Sequence, residues 1–320
     1  MKTRVLGTGG LTTSSIGLGC LGMSGMYGRS DEAESIRTIH RAGEIGVTLL
    51  DTSDVYGAGA NEVLVGKAIK DRRESYLVTT KFGVVPATEG KPGRYDGSPE
   101  FIRESCDASL RRLGIDTIDL YLQHRIDPNV PVEESIGTLS ELVDAGKVRF
   151  VGLSDTTAEI LRRANSVHPI SVLQSEYSLA ERGVEDNIFA VCEELGVGFM
   201  AFSPLCRGLL TGQLVDSTSL DEGDVRKTNH FPRVGPDFLR DNATKLDPLR
   251  AVAERHNCSL AQVALSWILA QESWVVPIPG ARTVEELVSN AASVDIELSA
   301  SDLQELEGLA AAIVGERVRR

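Results

Sequence analysis

The sequence predicts an α/β fold, a closed (β/α)8 TIM barrel with an N-terminal β-hairpin and a long loop after the seventh strand. Three observations carry that prediction. Short apolar runs alternate eight times with helical patterns of about 10–15 residues, which argues for a parallel sheet. The runs are apolar and mostly β-branched, as strands buried on both faces are. No linker or composition break divides the 320 residues, so 1–320 reads as a single barrel domain.

The elements follow in order. Residues 4–13 read as a hairpin around Thr8-Gly9-Gly10. Strands are predicted at 16–20, 47–50, 76–80, 118–123, 148–153, 170–174, 197–202 and 274–278. Helices are predicted at 32–43, capped by Ser30 or Asp31, and at 61–70. Ser98-Pro99-Glu100 opens a helix over 98–113 with proline in its first turn. Helices at 132–145 and 184–195 end at Gly146 and Gly196, and one at 156–167 lies between them. The remaining helices are predicted at 242–256, 259–271, 284–292 and 300–311. The polar stretch 204–241 is too long for a passive connection and reads as a mobile lid over a ligand. The competing fold is an open doubly wound sheet. Gly17-Leu18-Gly19-Cys20-Leu21-Gly22 has the letters of a dinucleotide fingerprint, but it runs through a strand and no helix opens behind it.

A net charge of −13 argues against nucleic-acid and anionic-membrane partners. The basic clusters Arg111-Arg112, Arg162-Arg163 and Arg317-Val318-Arg319-Arg320 read as solvated helix faces or a tail. Five cysteines, an odd number with no Cys-x-x-Cys, indicate neither a disulfide framework nor a zinc site and fit a reducing compartment. The start of the chain has no signal core, and no apolar run reaches membrane-spanning length. A cytoplasmic protein is expected.

A barrel carries its function at the C-terminal strand ends. Those ends hold Asp51, Lys81, His124, Ser154 with Asp155, Gln174, Phe202 with Ser203, and Pro279 with Gly280. Leu77, Thr79 and Lys81 share one strand face, and so do Leu120, Leu122 and His124. If the leucines fill the barrel, Lys81 and His124 point into its mouth. Tyr56 follows Asp51 by five residues.

Singly, each residue has an ordinary structural explanation. Together they make a proton donor. A tyrosine pKa near 10 is too high for easy exchange at neutral pH. A neighbouring lysine lowers it, an aspartate keeps the buried lysine charged, and a histidine can orient a carbonyl oxygen or share the proton. Asp51 is therefore read as the counter-ion of Lys81 rather than as an acid. No Gly-x-Ser-x-Gly or His-Glu-x-x-His is present. A donor of this kind needs an electron-pair source, for which a nicotinamide cofactor is the natural candidate. Ser154, Asp155 and Gln174 suit its carboxamide, Phe202 its ring, and Arg282 at a helix start a phosphate.

The stretch from Gly46 to Gly57, with its Asp51-Thr52-Ser53-Asp54-Val55-Tyr56 core, resembles the first signature of the aldo-keto reductases. Ser109-Leu110-Arg111-Arg112-Leu113-Gly114 through His124 resembles the second. Val276-Pro277-Ile278-Pro279-Gly280 resembles the cofactor-binding C-terminal segment. Leu6–Leu11 and His124-Arg125-Ile126-Asp127 are similar to a subgroup containing plant perakine reductase and yeast pyridoxal reductase. The resemblance implies hydride transfer from NADPH to a small-molecule aldehyde or ketone. It gives Tyr56 as general acid, Lys81 paired with Asp51 to depress its pKa, and His124 to position the carbonyl. Implied cofactor contacts are Gly19, Cys20, Leu21, Asp51, Ser154, Asp155, Gln174, Phe202, Ser203, Pro204 and Leu205. Gly208, Leu210 and Gly212 match a pyrophosphate loop, and Gly280, Arg282, Glu286 and Asn290 the adenosine-phosphate end.

Three departures stand out. Asp155 replaces a frequent Asn, Phe202 a frequent Tyr, and Glu286 stands where some members are basic, leaving the preference for NADP(H) on Arg282. Two other functions compete. Lys81 could form a Schiff base in a lyase, or the fold could serve as a nucleotide-sensing, non-catalytic subunit.

Overall fold

All eight predicted strands form, in one parallel sheet ordered as in the chain. The computed structural model describes residues 1–318 apart from 90 and 229. The strands are β1 (Leu18–Gly19), β2 (Leu49–Asp51), β3 (Leu77–Phe82), β4 (Ile118–Gln123), β5 (Val148–Ser154), β6 (Val172–Glu176), β7 (Gly198–Phe202) and β8 (Val275–Pro277). The Gly17 N–H donates to Pro277 O and the Gly19 N–H to Pro279 O, both at 2.9 Å, and these bonds bring the last strand to the first. Glycine is required at this seam: a Cβ on Gly19 would stand 2.9 Å from the Ile278 carbonyl oxygen.

The sheet separates two cores. Inside the barrel lie Leu49, Leu77, Leu120, Leu122, Val172, Met200, Val276 and Ile278. Leu6 and Leu11 join them from the antiparallel hairpin Thr3–Leu6 and Leu11–Ser14. The Thr8 N–H bonds Gly196 O, just before β7, so the hairpin lies at the N-terminal end of the barrel. Outside, the other strand face packs on the helices, with Val78, Tyr121, Val151 and Phe199 fully buried. Each such aliphatic or aromatic side chain contributes about 1.5–3 kcal/mol on leaving water.

The helices that wrap the sheet are α1 (Glu32–Glu44), α2 (Ala60–Ile69), α3 (Pro99–Leu113), α4 (Val132–Asp144), α5 (Ala158–Val167) and α6 (Ile188–Leu195). Asp31 is the cap of α1, its carboxylate accepting the Glu34 N–H at 2.7 Å. Gly114 and Gly196 end α3 and α6 in the left-handed conformation.

Several boundaries differ from the prediction. The helix expected at 242–256 is two helices, α7 (Leu239–Thr244) and α8 (Asp247–Arg255). Pro248 in the first turn of α8 lacks the N–H that would continue the preceding helix. Residues 183–186 form a separate 3-10 turn before α6. After α9 (Leu260–Gln271) and α10 (Val284–Ala291), the last predicted helix divides into α11 (Ala300–Leu306) and α12 (Leu309–Ala312) around Gly308. A small antiparallel ribbon, Val84–Val85 with Arg94–Tyr95, follows β3 where only a loop was expected.

The stretch expected to be a mobile lid is a packed wall over part of its length, with residues 221–223, 227 and 228 exposed. Cys206, Leu209, Leu210, Leu214, Phe231 and Val234 are buried in it. The Arg207 guanidinium makes two bonds to the fully buried Glu176, at 2.7 and 2.9 Å. Two basic clusters are likewise not simply solvated. Arg112 donates to the buried Glu62 at 2.6 Å. Arg317 turns back into the barrel mouth, whereas Arg319 and Arg320 lie outside the described residues. Arg162 and Arg163 do stay on the surface, paired with Glu194 and Glu133.

Candidate active site

Strand register delivers the reactive groups. In β3, Leu77 belongs to the barrel interior, so Lys81 two pleats later also points inward, and it is fully buried. β2 ends at Asp51 beside it. The Lys81 Nζ donates to Asp51 Oδ2 at 2.7 Å, to the Thr52 carbonyl at 2.7 Å and to the Tyr56 hydroxyl at 3.3 Å. The Tyr56 hydroxyl therefore meets an ammonium held by a carboxylate. His124, one residue past β4, presents its ring edge-on to Tyr56 with centroids 6.1 Å apart. The four residues predicted to act together are together.

Their electrostatics refine the expected roles. Burial opposes the Lys81 charge, but Asp51 and Tyr56 outweigh it and hold its pKa above the ordinary value. Burial also raises the Tyr56 pKa. Lys81 acts on the phenol in the expected downward direction, and burial outweighs it. Burial, then Lys81 and Arg125, push His124 well below its ordinary pKa, which keeps the imidazole neutral.

Asp51, Tyr56 and His124 lie in a cavity of about 1260 Å³ that runs from the barrel mouth to Arg282 and Asn290. Gly19, Leu21, Ser154, Asp155, Gln174, Phe202, Ser203, Pro204, Leu205, Gly208, Gly280, Arg282, Glu286 and Asn290 line it as expected. Cys20, Leu210 and Gly212 do not. Cys20 and Leu210 are wholly buried in the outer core, and Gly212 is pressed against Leu260, where a Cβ would meet its side chain at 2.7 Å.

Contacts at three places alter the expected cofactor shelf. The Gln174 amide donates to Asp51 Oδ1 at 2.7 Å, tying the shelf to the Lys81 pair. Asp155 has both oxygens engaged: Ser175 donates to it at 2.6 Å and Arg317 at 2.8 and 3.2 Å, and Arg125 forms an ion pair with it at 3.2 Å. It anchors two arginines instead of standing open to a carboxamide. At the far end, the Arg282 guanidinium donates to the Tyr27 carbonyl at 2.9 Å, and Glu286 accepts the Arg282 N–H at 2.7 Å.

Sequence reading missed Arg125, Glu176, Arg207 and Arg317. Glu176 was findable: β6 runs two residues beyond Gln174, and alternation puts Glu176 on the same face. Arg317 gave no signal, because a tail arginine resembles any solvated one.

A parallel barrel that sets a buried Lys–Asp pair against a tyrosine and a neutral histidine at one cavity has the fold and the site of an oxidoreductase. Comparison with known proteins agrees. The Aldo/keto reductase family model matches residues 15–311. Probable aldo-keto reductase 1 of Glycine max is 41% identical over 304 residues, covering 94% of this chain and 86% of that protein. The glycerol dehydrogenase AKR11B4 from Gluconobacter oxydans superposes with a TM-score of 0.86 at 29% identity, covering 99% of this chain and 97% of that one. The holo form of the aldo-keto reductase AKR11C1 from Bacillus halodurans gives 0.79 at 31%, with 99% of each chain covered. The chain belongs to the aldo/keto reductase family. Among the described residues no helix is long and apolar enough to cross a membrane.

Proposed function

We propose that the protein is an NADPH-dependent reductase of small aldehydes or ketones. One observation carries this reading: Lys81, fixed by Asp51, donates to the Tyr56 hydroxyl at the floor of the cavity, with a neutral His124 beside it. A reduced nicotinamide bound in the groove supplies the hydride. The chain's own groups do the rest. His124 orients the carbonyl oxygen toward Tyr56. Tyr56 gives up its proton as negative charge develops on that oxygen, and the Lys81 ammonium stabilises the phenolate left behind. Asp51 keeps that buried ammonium charged.

The groove fits such a cofactor. Phe202 lies on its wall for stacking, and Ser154 and Gln174 are within it for a carboxamide. Among the described residues only one guanidinium nitrogen of Arg282 is committed, to Tyr27, which leaves the others for a 2′-phosphate, and this supports NADP(H). Glu286 works against it. Leu6–Leu11 and His124–Asp127 support a place in the subgroup with perakine and pyridoxal reductases. We read the protein as cytoplasmic, with a small carbonyl compound as partner and neither nucleic acid nor membrane. The lyase alternative is disfavoured because a lysine ammonium with three acceptors and a raised pKa is a poor nucleophile.

The test is a panel of aliphatic, aromatic and pyridine aldehydes and ketones, assayed with NADPH and NADH in parallel. Carbonyl-dependent loss of nicotinamide absorbance is expected, faster with NADPH. No loss with any carbonyl, or borohydride trapping of a substrate on Lys81, would sink the reading.

A further inference from the structure

We propose that Ser53 and Asp54 are positioning residues that set which ring nitrogen of His124 carries hydrogen, through the chain Asp54–Ser53–His124. The proposal rests on the reductase reading for its catalytic meaning but not for its geometry.

Ser53 is completely buried. Its Oγ stands 3.2 Å from His124 Nδ1 and 3.1 Å from Asp54 Oδ1. A serine hydroxyl has one hydrogen, so it can donate to only one of these neighbours and must accept from the other. Two arrangements satisfy all three groups. With Asp54 ionised, Ser53 donates to Asp54, the His124 Nδ1–H donates to Ser53, and Nε2 is bare. With Asp54 protonated, its O–H donates to Ser53, Ser53 donates to Nδ1, and the ring hydrogen is on Nε2. Passing from the second to the first releases the Asp54 proton to solvent, turns the hydroxyl, and moves the ring hydrogen from Nε2 to Nδ1.

The two arrangements are not equivalent for a carbonyl. Among the described residues Nε2 has no hydrogen-bond partner, and His124 lines the cavity. A carbonyl oxygen accepts and cannot donate, so only Nε2–H can hold it. The productive state therefore needs Asp54 neutral.

The surroundings make that state accessible near neutral pH. Burial, and then Glu62 on α2, push the Asp54 carboxyl up to about 7; the Ser53 hydroxyl, Arg112 on α3 and the Val55 N–H oppose them. Glu62 is itself fixed by Thr80 and Arg112. The groups acting on His124 are Lys81 on β3 and the adjacent Arg125, both cationic, so the ring stays neutral and does not compete for the proton. Tyr56, edge-on, is a phenol throughout this range. Asp54 is the group in this cluster whose charge changes between weak acid and weak base.

The test is long-range proton–nitrogen NMR on the apoprotein with labelled histidine, His124 being assigned by its loss in His124→Asn. In the unsubstituted protein His124 should carry its hydrogen on Nε2 below about pH 6 and on Nδ1 above about pH 8. Asp54→Asn, which has no proton to lose, should hold one tautomer across the range. In Ser53→Ala the tautomer should no longer follow pH, and Ser53→Thr should restore the dependence. A tautomer that does not change in the unsubstituted protein, or that still titrates in Asp54→Asn, overturns the proposal. These spectra need neither cofactor nor carbonyl, so they stand apart from the reductase reading. With carbonyl reduction in hand, kcat should fall severalfold over the same interval in the unsubstituted protein and stay level in Asp54→Asn. A fall that survives in Asp54→Asn also overturns it.

Discussion

Arg317 donates through both terminal nitrogens to the two carboxylate oxygens of Asp155, at 3.2 and 2.8 Å. The contact joins the end of the chain to the end of β5. It is built, not casual. The Asn242 side chain donates to Val314 O at 2.8 Å and accepts the Val314 N–H at 2.9 Å, and the Arg233 side chain bonds Gly315 O at 3.1 Å. The tail is thus fastened to the wall after β7 before Arg317 enters the mouth.

Arg317 lines the cavity but bonds neither Tyr56 nor His124. Arg317→Ala should therefore raise the KM for the carbonyl several-fold while kcat changes by about twofold or less, the pattern of lost binding rather than lost chemistry. Arg317→Lys, a point charge without the planar fork, should recover only part of the affinity. Steady-state kinetics on the three proteins decide it; an equal fall in kcat would place Arg317 in the chemical step.

Tyr56→Phe removes the proton donor and leaves the groove intact. Turnover should fall by about 10²–10⁴-fold, the usual range for a general acid. Quenching of intrinsic fluorescence by NADPH should still report binding near that of the unsubstituted protein. Retained turnover would assign the proton to another group.

The Lys81–Asp51 pair should behave as a buried ion pair does when one partner is removed. Asp51→Asn strands an ammonium with no exposed surface and also disturbs the Gln174 contact. A loss of about 3–5 kcal/mol in unfolding free energy is expected, together with loss of turnover. Lys81→Met together with Asp51→Leu should recover much of the stability and none of the activity. Urea unfolding of the single and double variants separates the two effects.

How much of this was legible in the sequence follows from what each residue's position depends on. Lys81 and His124 were readable because each continues a strand whose alternate residues are leucines, so the pleat fixes where the next side chain points. Asp51 and Tyr56 were readable as chemistry, and their spacing also matched a family signature. The Asp155 cluster was not. Its partners Arg125, Ser175 and Arg317 come from three places in the chain, and long-range ion pairing leaves no periodic trace. Ser53 was passed over for a different reason: its role depends on a 3.2 Å approach across two strands, a distance no sequence pattern encodes. Pro248, in contrast, was in plain view, and its effect on the helix before it should have been drawn.

Glu286 sets a prediction on cofactor choice. Its carboxylate holds the Arg282 N–H at the entrance to α10, the place an anionic phosphate would use. Glu286→Gln keeps an acceptor for that N–H and removes the charge. The ratio of kcat/KM for NADPH to that for NADH should rise several-fold, mainly through the KM of NADPH. An unchanged ratio would mean that the 2′-position of the ribose lies elsewhere in the groove.

Asp54 also makes stability depend on pH, in a direction opposite to that of most carboxylates. Its folded pKa of about 7 lies above the reference value of 3.8. The native state therefore holds a proton that the unfolded chain has already released between about pH 4 and pH 7. Stability linked to this group is fully present below the unfolded pKa and is lost as pH rises through the folded one. Asp54→Asn has no proton to lose. It should match the unsubstituted protein in Tm near pH 4 and exceed it by a few degrees near pH 8, where the charged carboxylate would otherwise sit desolvated beside Glu62. Thermal unfolding at the two pH values gives the answer, and a gain at low pH instead of high would show that Asp54 is charged in the folded protein throughout.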